Sequence, residues 1–297
     1  MKVFQIILST QSAISSLLQA DTLFGHLCWL VKYFEGEEEL ARFLAPFTEG
    51  NPPFLISDGF PFNSLPKPFI TDFNILNKEE EKLIKSREWV TPRDFEKIRR
   101  AQKIESLDDI KEEENFLYCL TTHNTINRSD NSTLQQKGIY SNTELFIDEI
   151  SFYIKVTDKQ WLNRVIDLFN KLSVFGYGRK RSIGKGRFKI KNVQEFFWED
   201  VEGANGFVTL SNFCPSENDP TEGVYKIFIK YGKLGSEFTF CGNPFKRPLL
   251  MLKTGSVFKT ESHPKQYYGK MVKGVSPIKK EVVHYAYAFA VPIKYPF

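Results

Sequence analysis

Residues Gly176–Phe188 read GYGRKRSIGKGRF, and what lies on either side of this stretch decides the fold. Gly176, Gly178, Gly184 and Gly186 allow left-handed backbone and close approach of a second chain. From Gly176 to Lys191 there are seven basic residues (Arg179, Lys180, Arg181, Lys185, Arg187, Lys189 and Lys191) and no acid. Successive N–H groups in such turns form anion-holding nests, to which arginine and lysine add charge. A nucleotide-binding glycine loop follows a strand and opens a helix. Here the order is reversed. Asp158 is placed to cap a helix in which Trp161, Leu162, Val165, Ile166, Leu168, Phe169 and Leu172 recur at helical spacing. After the glycines, Phe188 and Ile190 alternate with Arg187, Lys189 and Lys191, as in a strand. A helix-to-strand loop lacking GxxxxGKS argues against a mononucleotide site. It leaves a loop that tracks a polyanion, or a solvated basic turn without a ligand.

The 297 residues suit two domains, and 28 phenylalanines can fill sizeable cores. Net charge is only +4, so its distribution matters more than its total. Residues 244–280 carry nine lysines and arginines against the single acid Glu261, a second basic region beside the glycine loop. This is a footprint for nucleic acid, although an anionic protein or membrane surface would need similar charge. Cys28, Cys119, Cys214 and Cys241 are far apart with no CxxC pair. Buried thiols in a reducing compartment are expected, with Cys28 and Cys119 in apolar patterns. At the start, Gln5 and the polar cluster at 9–12 interrupt the apolar run, so export is not expected. No stretch has the length of an apolar membrane span, and a cytoplasmic protein is the expectation.

Along the chain, residues 2–8 read as a buried strand, and Asp21 as the cap of a helix with Leu23, Phe24, Leu27, Cys28, Leu30, Val31 and Phe34 on one face. EEELARFLAPF follows as a second helix, and the proline-punctuated 51–69 as short edge strands and loop. The charged segment 78–114 reads as a surface insertion, partly helical at PRDFEKIRRAQ. Residues 115–148 read as two strands joined by a polar, projecting tip, and Ile150, Phe152, Ile154 and Val156 as a further strand. The order strand–helix–insertion–strand–strand–helix–strand is the ferredoxin-like, RRM-like plan over 1–195, expanded between about 58 and 147. Beyond a boundary at 196–206, FVTLSNF, VYKIFIKYG, RPLLMLKTGSVF and VVHYAYAFAVPI are strand-like. The fold class expected is α+β, with a smaller, β-rich ferredoxin-like unit over 196–297.

A family resemblance rests on these stretches together. ADTLFGHLCW, FLISDGFPFNSLPKPF, HNTINRSDN, GYGRKRSIGKGRF, KRPLLMLKTGSVF and AYAFAVPI occur in order from residue 20 to residue 292. The chain resembles the RAMP proteins of CRISPR systems, and among them the Csm-type subunit, number four of the type III-A effector. The resemblance implies a non-catalytic antiviral-defence subunit, without cofactor or metal, that holds the 5′ handle of crRNA. It implies a large polymerase-like Cas subunit on one side and the backbone RAMP subunit on the other. Target RNA is met only through the guide, and no membrane is involved. The implied RNA contacts are Thr22, Phe24 and His26 of the first helix and His123, Asn124 and Arg128 of the hairpin. In the loop they are Gly176, Tyr177, Gly178, Arg179, Arg181, Ser182, Gly184, Lys185 and Gly186, and towards the C-terminus Lys246, Arg247, Gly255 and Ser256. The equivalent type III-B subunit, and a metal-independent RAMP endoribonuclease that processes repeat RNA, remain as alternatives.

The residues themselves allow more than one role. Tyr177 can stack on a base or pack beneath its loop, and Arg179 and Arg181 can fork onto phosphate or stay solvated. Lys246 and Arg247 precede an apolar strand and can equally be edge charges. His26, on the flank of the first helix's apolar stripe, can pack, touch RNA or act as a general acid or base, although no paired base is evident. Asp58 and Asp72 lack a second carboxylate at metal-ligand spacing and read as solvated loop acids.

Overall fold

The computed structural model describes residues 1–70, 78–104, 108, 116–134, 138–178, 180–240 and 242–295. Asp72, Arg179, Cys241 and parts of the charged segment and hairpin tip lie outside the described residues. The first part runs β1 (Lys2–Thr10), α1 (Ala20–Glu35), α2 (Glu37–Thr48), β2 (Phe54–Ile56), β3 (Phe60–Pro61) and β4 (Leu65–Pro66). It continues with α3 (Lys78–Ser86), β5 (Trp89–Val90), α4 (Pro92–Arg99), β6 (Phe116–Asn124), β7 (Ile139–Ile147), β8 (Glu149–Val156), α5 (Lys159–Phe175) and β9 (Phe188–Phe196). The second part is β10 (Gly206–Thr209), β11 (Gly223–Val224), β12 (Ile227–Lys230), β13 (Leu249–Leu252), β14 (Val257–Lys259), β15 (Tyr267–Val272) and β16 (His284–Ile293).

The first sheet has the order β2-β8-β1-β9, every neighbouring pair antiparallel, with β3 extending the β2 side of β8. Phe152 and Phe169, 4.8 Å apart between ring centroids, join β8 to α5. α5 starts where expected: the Asp158 carboxylate accepts the N–H groups of Gln160 and Trp161 at 2.9 and 3.0 Å. Asp21, in contrast, does not cap α1. The helix begins one residue earlier, and Asp58 accepts the Ala20 N–H at 2.8 Å. Asp58 is buried, so it is not the solvated loop acid the sequence suggested. The charged insertion also differs from expectation. Phe95, Ile98 and Arg99 of α4 are buried, and the Arg99 guanidinium donates to the carbonyls of Glu199 and Pro292. Few apolar residues sit among many charges there, but they fall on one helical face and dock it.

The second sheet has the order β11-β14-β10-β16-β15. Its covering helices come from the first part. Phe24 of α1 stacks on Tyr285 of β16 at 4.7 Å, and the Tyr287 hydroxyl donates to the Phe47 carbonyl of α2 at 2.6 Å. The Ile56 N–H of β2 donates to the Tyr285 hydroxyl at 3.2 Å. One buried apolar cluster therefore runs from Ile6 and Leu8 through Phe24, Phe43 and Phe54 to Tyr285, Phe289 and Ile293. Aromatic pairs of this geometry each add about 0.5–1.5 kcal/mol beyond the area they bury.

Among the described residues, two of the three two-stranded ribbons expose apolar side chains. β6 pairs with β7, from Phe116 opposite Ile147 to Asn124 opposite Ile139, with both Leu117 and Leu120 exposed. Cys119, expected to be buried, is exposed on it, because the ribbon leaves the body of the protein. Cys214 is buried as expected and Cys28 partly so, with burial pushing the Cys28 thiol up to about 12. β12 pairs with β13, and its polarity is inverted. Lys230 turns inward, while Tyr225, Ile227, Ile229 and Tyr231 lie on the exposed side beside Leu250 of β13. Among the described residues no helix is long and apolar enough to cross a membrane.

Candidate nucleic-acid interface

The glycine loop has a closed neck and an open tip. The Gly176 N–H ends α5 on the Leu172 carbonyl at 2.7 Å, and the Tyr177 N–H donates to the Gly186 carbonyl at 2.8 Å. Gly186 in turn donates to the Ala13 carbonyl at 3.0 Å. A Cβ on Gly186 would lie 2.0 Å from the Tyr177 carbonyl oxygen, so the neck closes only on glycine. At the tip, Arg181–Ile183 form a short 3-10 turn, and Gly184 follows at φ 87° with open space around it.

Tyr177 fills the space beneath the neck and is 2% exposed. Its hydroxyl accepts the Gln19 N–H at 3.0 Å and donates to the Leu17 carbonyl at 3.3 Å. It packs under the loop and does not present a stacking face. His26 secures the tip from α1: its Nε2 accepts the Gly178 N–H at 3.0 Å. Enclosure, and then the Arg181 guanidinium, push the imidazole down from 6.5 to about 4, so it is neutral near pH 7. With Nε2 accepting, the neutral ring carries its proton on Nδ1, and Arg181 approaches that side at 3.5 Å. The ring holds the loop, and among the described residues no carboxylate bonds to it to relay a proton.

A cleft of about 560 Å³ opens between this loop, the approach to α1 and the root of the β6–β7 ribbon. Ser15, Ser16, Gln19 and Thr22 line one wall, Ser141, Asn142, Thr143 and Glu144 another, and Gly178, Lys180 and Lys185 the third. Its cations differ in what already occupies them. Lys185 donates to the nearly buried Glu144 at 2.9 Å, and this bond holds the Glu144 carboxyl below its usual range. Lys180 has no carboxylate at ion-pair distance among the described residues; its ammonium sits 5.2 Å from the Tyr140 ring centre. Arg181 likewise has no carboxylate partner among the described residues. Ammonium and guanidinium groups without a carboxylate are the ones free to meet phosphate. Lys180 was not among the residues singled out from sequence, and nothing in its local pattern separates it from Lys185.

Behind the wall of the cleft lies a buried polar cluster. Lys230 reaches from β12 to Asp21 at 2.9 Å and to the Gln19 side chain at 2.5 Å, and His284 of β16 is 3.2 Å from Asp21. Burial alone would raise the Asp21 carboxyl, but His284 and Lys230 outweigh it and hold it below the usual carboxylate range. Burial pushes Asp58 up to about 7 while Ala20 and Asn212 donate to it. Among the described residues no group of three His, Cys, Asp or Glu side chains could hold a metal ion.

The remaining sequence candidates divide. Thr22 lines the cleft, whereas Phe24 is buried in the core and presents no surface. His123 stacks on Tyr140 at 5.4 Å, which links it through Lys180 to the loop. Asn124 binds the Thr133 hydroxyl at 3.0 Å, and Arg128 is exposed at the ribbon's tip. Ser182 is exposed on the 3-10 turn. Lys246 points to the Val283 carbonyl, and burial lowers its ammonium. Arg247 donates to the Gly274 carbonyl at 3.3 Å. Gly255 and Ser256 are buried away from the loop: the Phe69 N–H bonds the Gly255 carbonyl, and Ser256 donates to the Lys253 carbonyl. These two form a buried turn between β13 and β14.

Two antiparallel sheets sharing their helices, with a glycine-rich cationic loop ahead of the first sheet's last strand, make a mixed α+β fold. No family model and no curated relative matches the sequence. Over its full length the chain matches Csm4 chains of type III-A CRISPR assemblies. In a Csm1–Csm4 cassette in complex with pppApA the TM-score is 0.65 at 16% identity, covering 100% of this chain and 99% of that one. In a Csm3–Csm4 subcomplex of the type III-A CRISPR-Cas interference complex it is 0.66 at 14% identity, covering 99% and 100%. The likeness is one of fold, carried by a sequence that has diverged widely.

Proposed function

We propose that this chain is the subunit of a type III-A CRISPR effector that grips the 5′ handle of crRNA and breaks no bond. The observation that carries this reading is the cleft beside the glycine loop. It combines serine and threonine hydroxyls with Lys180, which has no carboxylate partner among the described residues, and Arg181 follows directly in the chain; these groups suit the phosphates and 2′-hydroxyls of single-stranded RNA. The order β2-β8-β1-β9, with α1 and α5 in the two crossovers, supports the ferredoxin-like plan read over residues 1–195. Residues 196–297 make the second unit, which takes its helical cover from the first. A binding role rather than nuclease chemistry is supported by His26, whose Nε2 is committed to Gly178.

By analogy with the Csm1–Csm4 and Csm3–Csm4 assemblies, the partners are a polymerase-like large subunit and a backbone RAMP subunit. The exposed apolar side of β12 and β13 supports a life in contact with other subunits. Target RNA is reached through the guide, near the ribbon tip that carries Arg128.

The test is the salt dependence of affinity for a labelled single-stranded RNA bearing the repeat-derived handle. Replacing Lys180, Arg181 and Arg187 together by glutamine should weaken binding and lower the slope of log K against log salt by about 2, at about 0.7 per phosphate contact. An unchanged slope would remove the loop from the RNA path. Lys185 is left intact because its loss would strand the buried Glu144.

A further inference from the structure

We propose that the far side of the glycine loop forms a second RNA subsite, a slot that takes one unpaired nucleobase of the strand lying in the cleft. The proposal rests on the cleft being an RNA site and adds to it where the strand goes next. A groove of about 430 Å³ is lined by Tyr33, Phe175, Arg181 and Ser182. Tyr33 stands in the last turn of α1, and Phe175 is the last residue of α5, so two helix ends bring two aromatic rings to one place. Tyr33 is 46% and Phe175 42% exposed. Tyr33 packs on Trp29 and Phe175 on Phe34, so both rings are braced from behind while the groove between them is unfilled.

The charge around the groove is sorted in the same sense. Arg181 faces it without a carboxylate at ion-pair distance among the described residues. Glu35, at the end of α1, is tied to Arg164 at 2.6 Å, and the Lys171 ammonium lies 5.0 Å from the Phe34 ring centre. An unpaired nucleotide satisfies all four lining residues at once: a π-face for the rings, a base edge for the Ser182 hydroxyl and a phosphate for Arg181. An apolar protein finger would cover the rings but leave the guanidinium unpaired. The path is short as well. Lys180 lines the cleft and Arg181 lines the groove, so a strand passes from one to the other across a single peptide unit.

The experiment uses the full chain and a set of single-stranded RNA decamers of one mixed sequence, each with 2-aminopurine at a different position. Binding should quench the fluorescence at one position or two adjacent ones. Tyr33→Leu and Phe175→Leu keep apolar bulk but remove the stacking face. Each should abolish that quench and weaken binding about 5- to 150-fold, the value of one base–aromatic stack. Melting temperatures equal to that of the unaltered chain exclude misfolding as the cause. Unchanged affinity and quenching in both leucine variants would overturn the slot. So would RNA binding unaffected by these variants together with lost capture of the large or backbone subunit, which would make the groove a protein contact. Displacement of the decamer's quenched base by AMP, with decamer affinity unaffected by the variants, would assign the groove to a free nucleotide and overturn it too. Lys180→Gln tests the cleft independently. If it leaves decamer affinity intact, the cleft reading fails; if it weakens binding while the leucine variants do not, only the slot fails.

Discussion

His26 accepts the Gly178 N–H only while its Nε2 is unprotonated, so the loop's anchor is tied to pH. The folded value of about 4 lies below the ordinary 6.5, so the unfolded chain takes up the proton first. This group's contribution to stability is therefore complete above about 6.5 and is lost as pH falls towards 4. With allowance for partial solvent access, it amounts to about 1–2 kcal/mol. His26→Gln retains an acceptor without the titration, and denaturant melts across that range should show a flatter profile for the variant. The loop glycines give a second comparison. Gly186→Ala places a methyl against the Tyr177 carbonyl and should cost about 2 kcal/mol or more, whereas Gly184→Ala meets open space and carries only the strain of its positive φ, about 1 kcal/mol. Chemical denaturation of the two variants reads the difference. At this scale the sequence revealed residue types but not their commitments. Lys185 and Lys180 look alike in GYGRKRSIGKGRF, and only the folded ribbon shows that Glu144 has claimed one of them.

The β6–β7 ribbon is joined to the body at its root by the Ile14–Leu145 bridge and by Lys185–Glu144, with Lys180 over Tyr140 above them. Beyond these ties it projects. Replacing residues 125–138 by a two-residue turn should leave RNA affinity at the cleft unchanged. On the proposed role, the same change in an assembled type III-A effector should alter the response to mismatches at the first target positions, as read by target-stimulated activity. Glu144→Ala should loosen the root and speed trypsin cleavage within the ribbon several-fold. The ribbon was legible in its polar tip and flanking strands. Its detachment was not, because Leu117, Cys119 and Leu120 give the apolar pattern of a buried strand. α4 misled in the opposite way: charges dominate PRDFEKIRRAQ, yet Phe95, Ile98 and the paired Arg99 bury its working face.

Across the whole molecule, the boundary near residues 196–206 separates two sheets but not two cores. Shared packing of Phe24, Phe47 and Phe54 with Tyr285 predicts a single cooperative unfolding transition in calorimetry. The buried cluster at the foot of α1 is a second tie between the two parts. Lys230→Met would leave Asp21 buried with its ammonium partner removed, at a cost of about 3–5 kcal/mol, and adding Asp21→Asn should recover much of that loss. The strand–helix order of the first sheet was readable because helical and alternating periodicities are local. The sharing of α1 and α2 was not, since it depends on contacts between residues more than two hundred positions apart, such as Ile56 with Tyr285.

The inverted strand β12 has a consequence for the molecule outside its assembly. Ile229 is 51% and Tyr231 73% exposed, and the edge residue Leu250 joins them. Such a ribbon offers greasy side chains and open hydrogen-bonding edges to any passing copy. A solitary chain should therefore clump as its concentration rises, and Ile229→Lys should hold it monomeric in sedimentation experiments. On the proposed role, a copy synthesised in excess of its neighbours would be an orphan that the cell must either shelter or degrade.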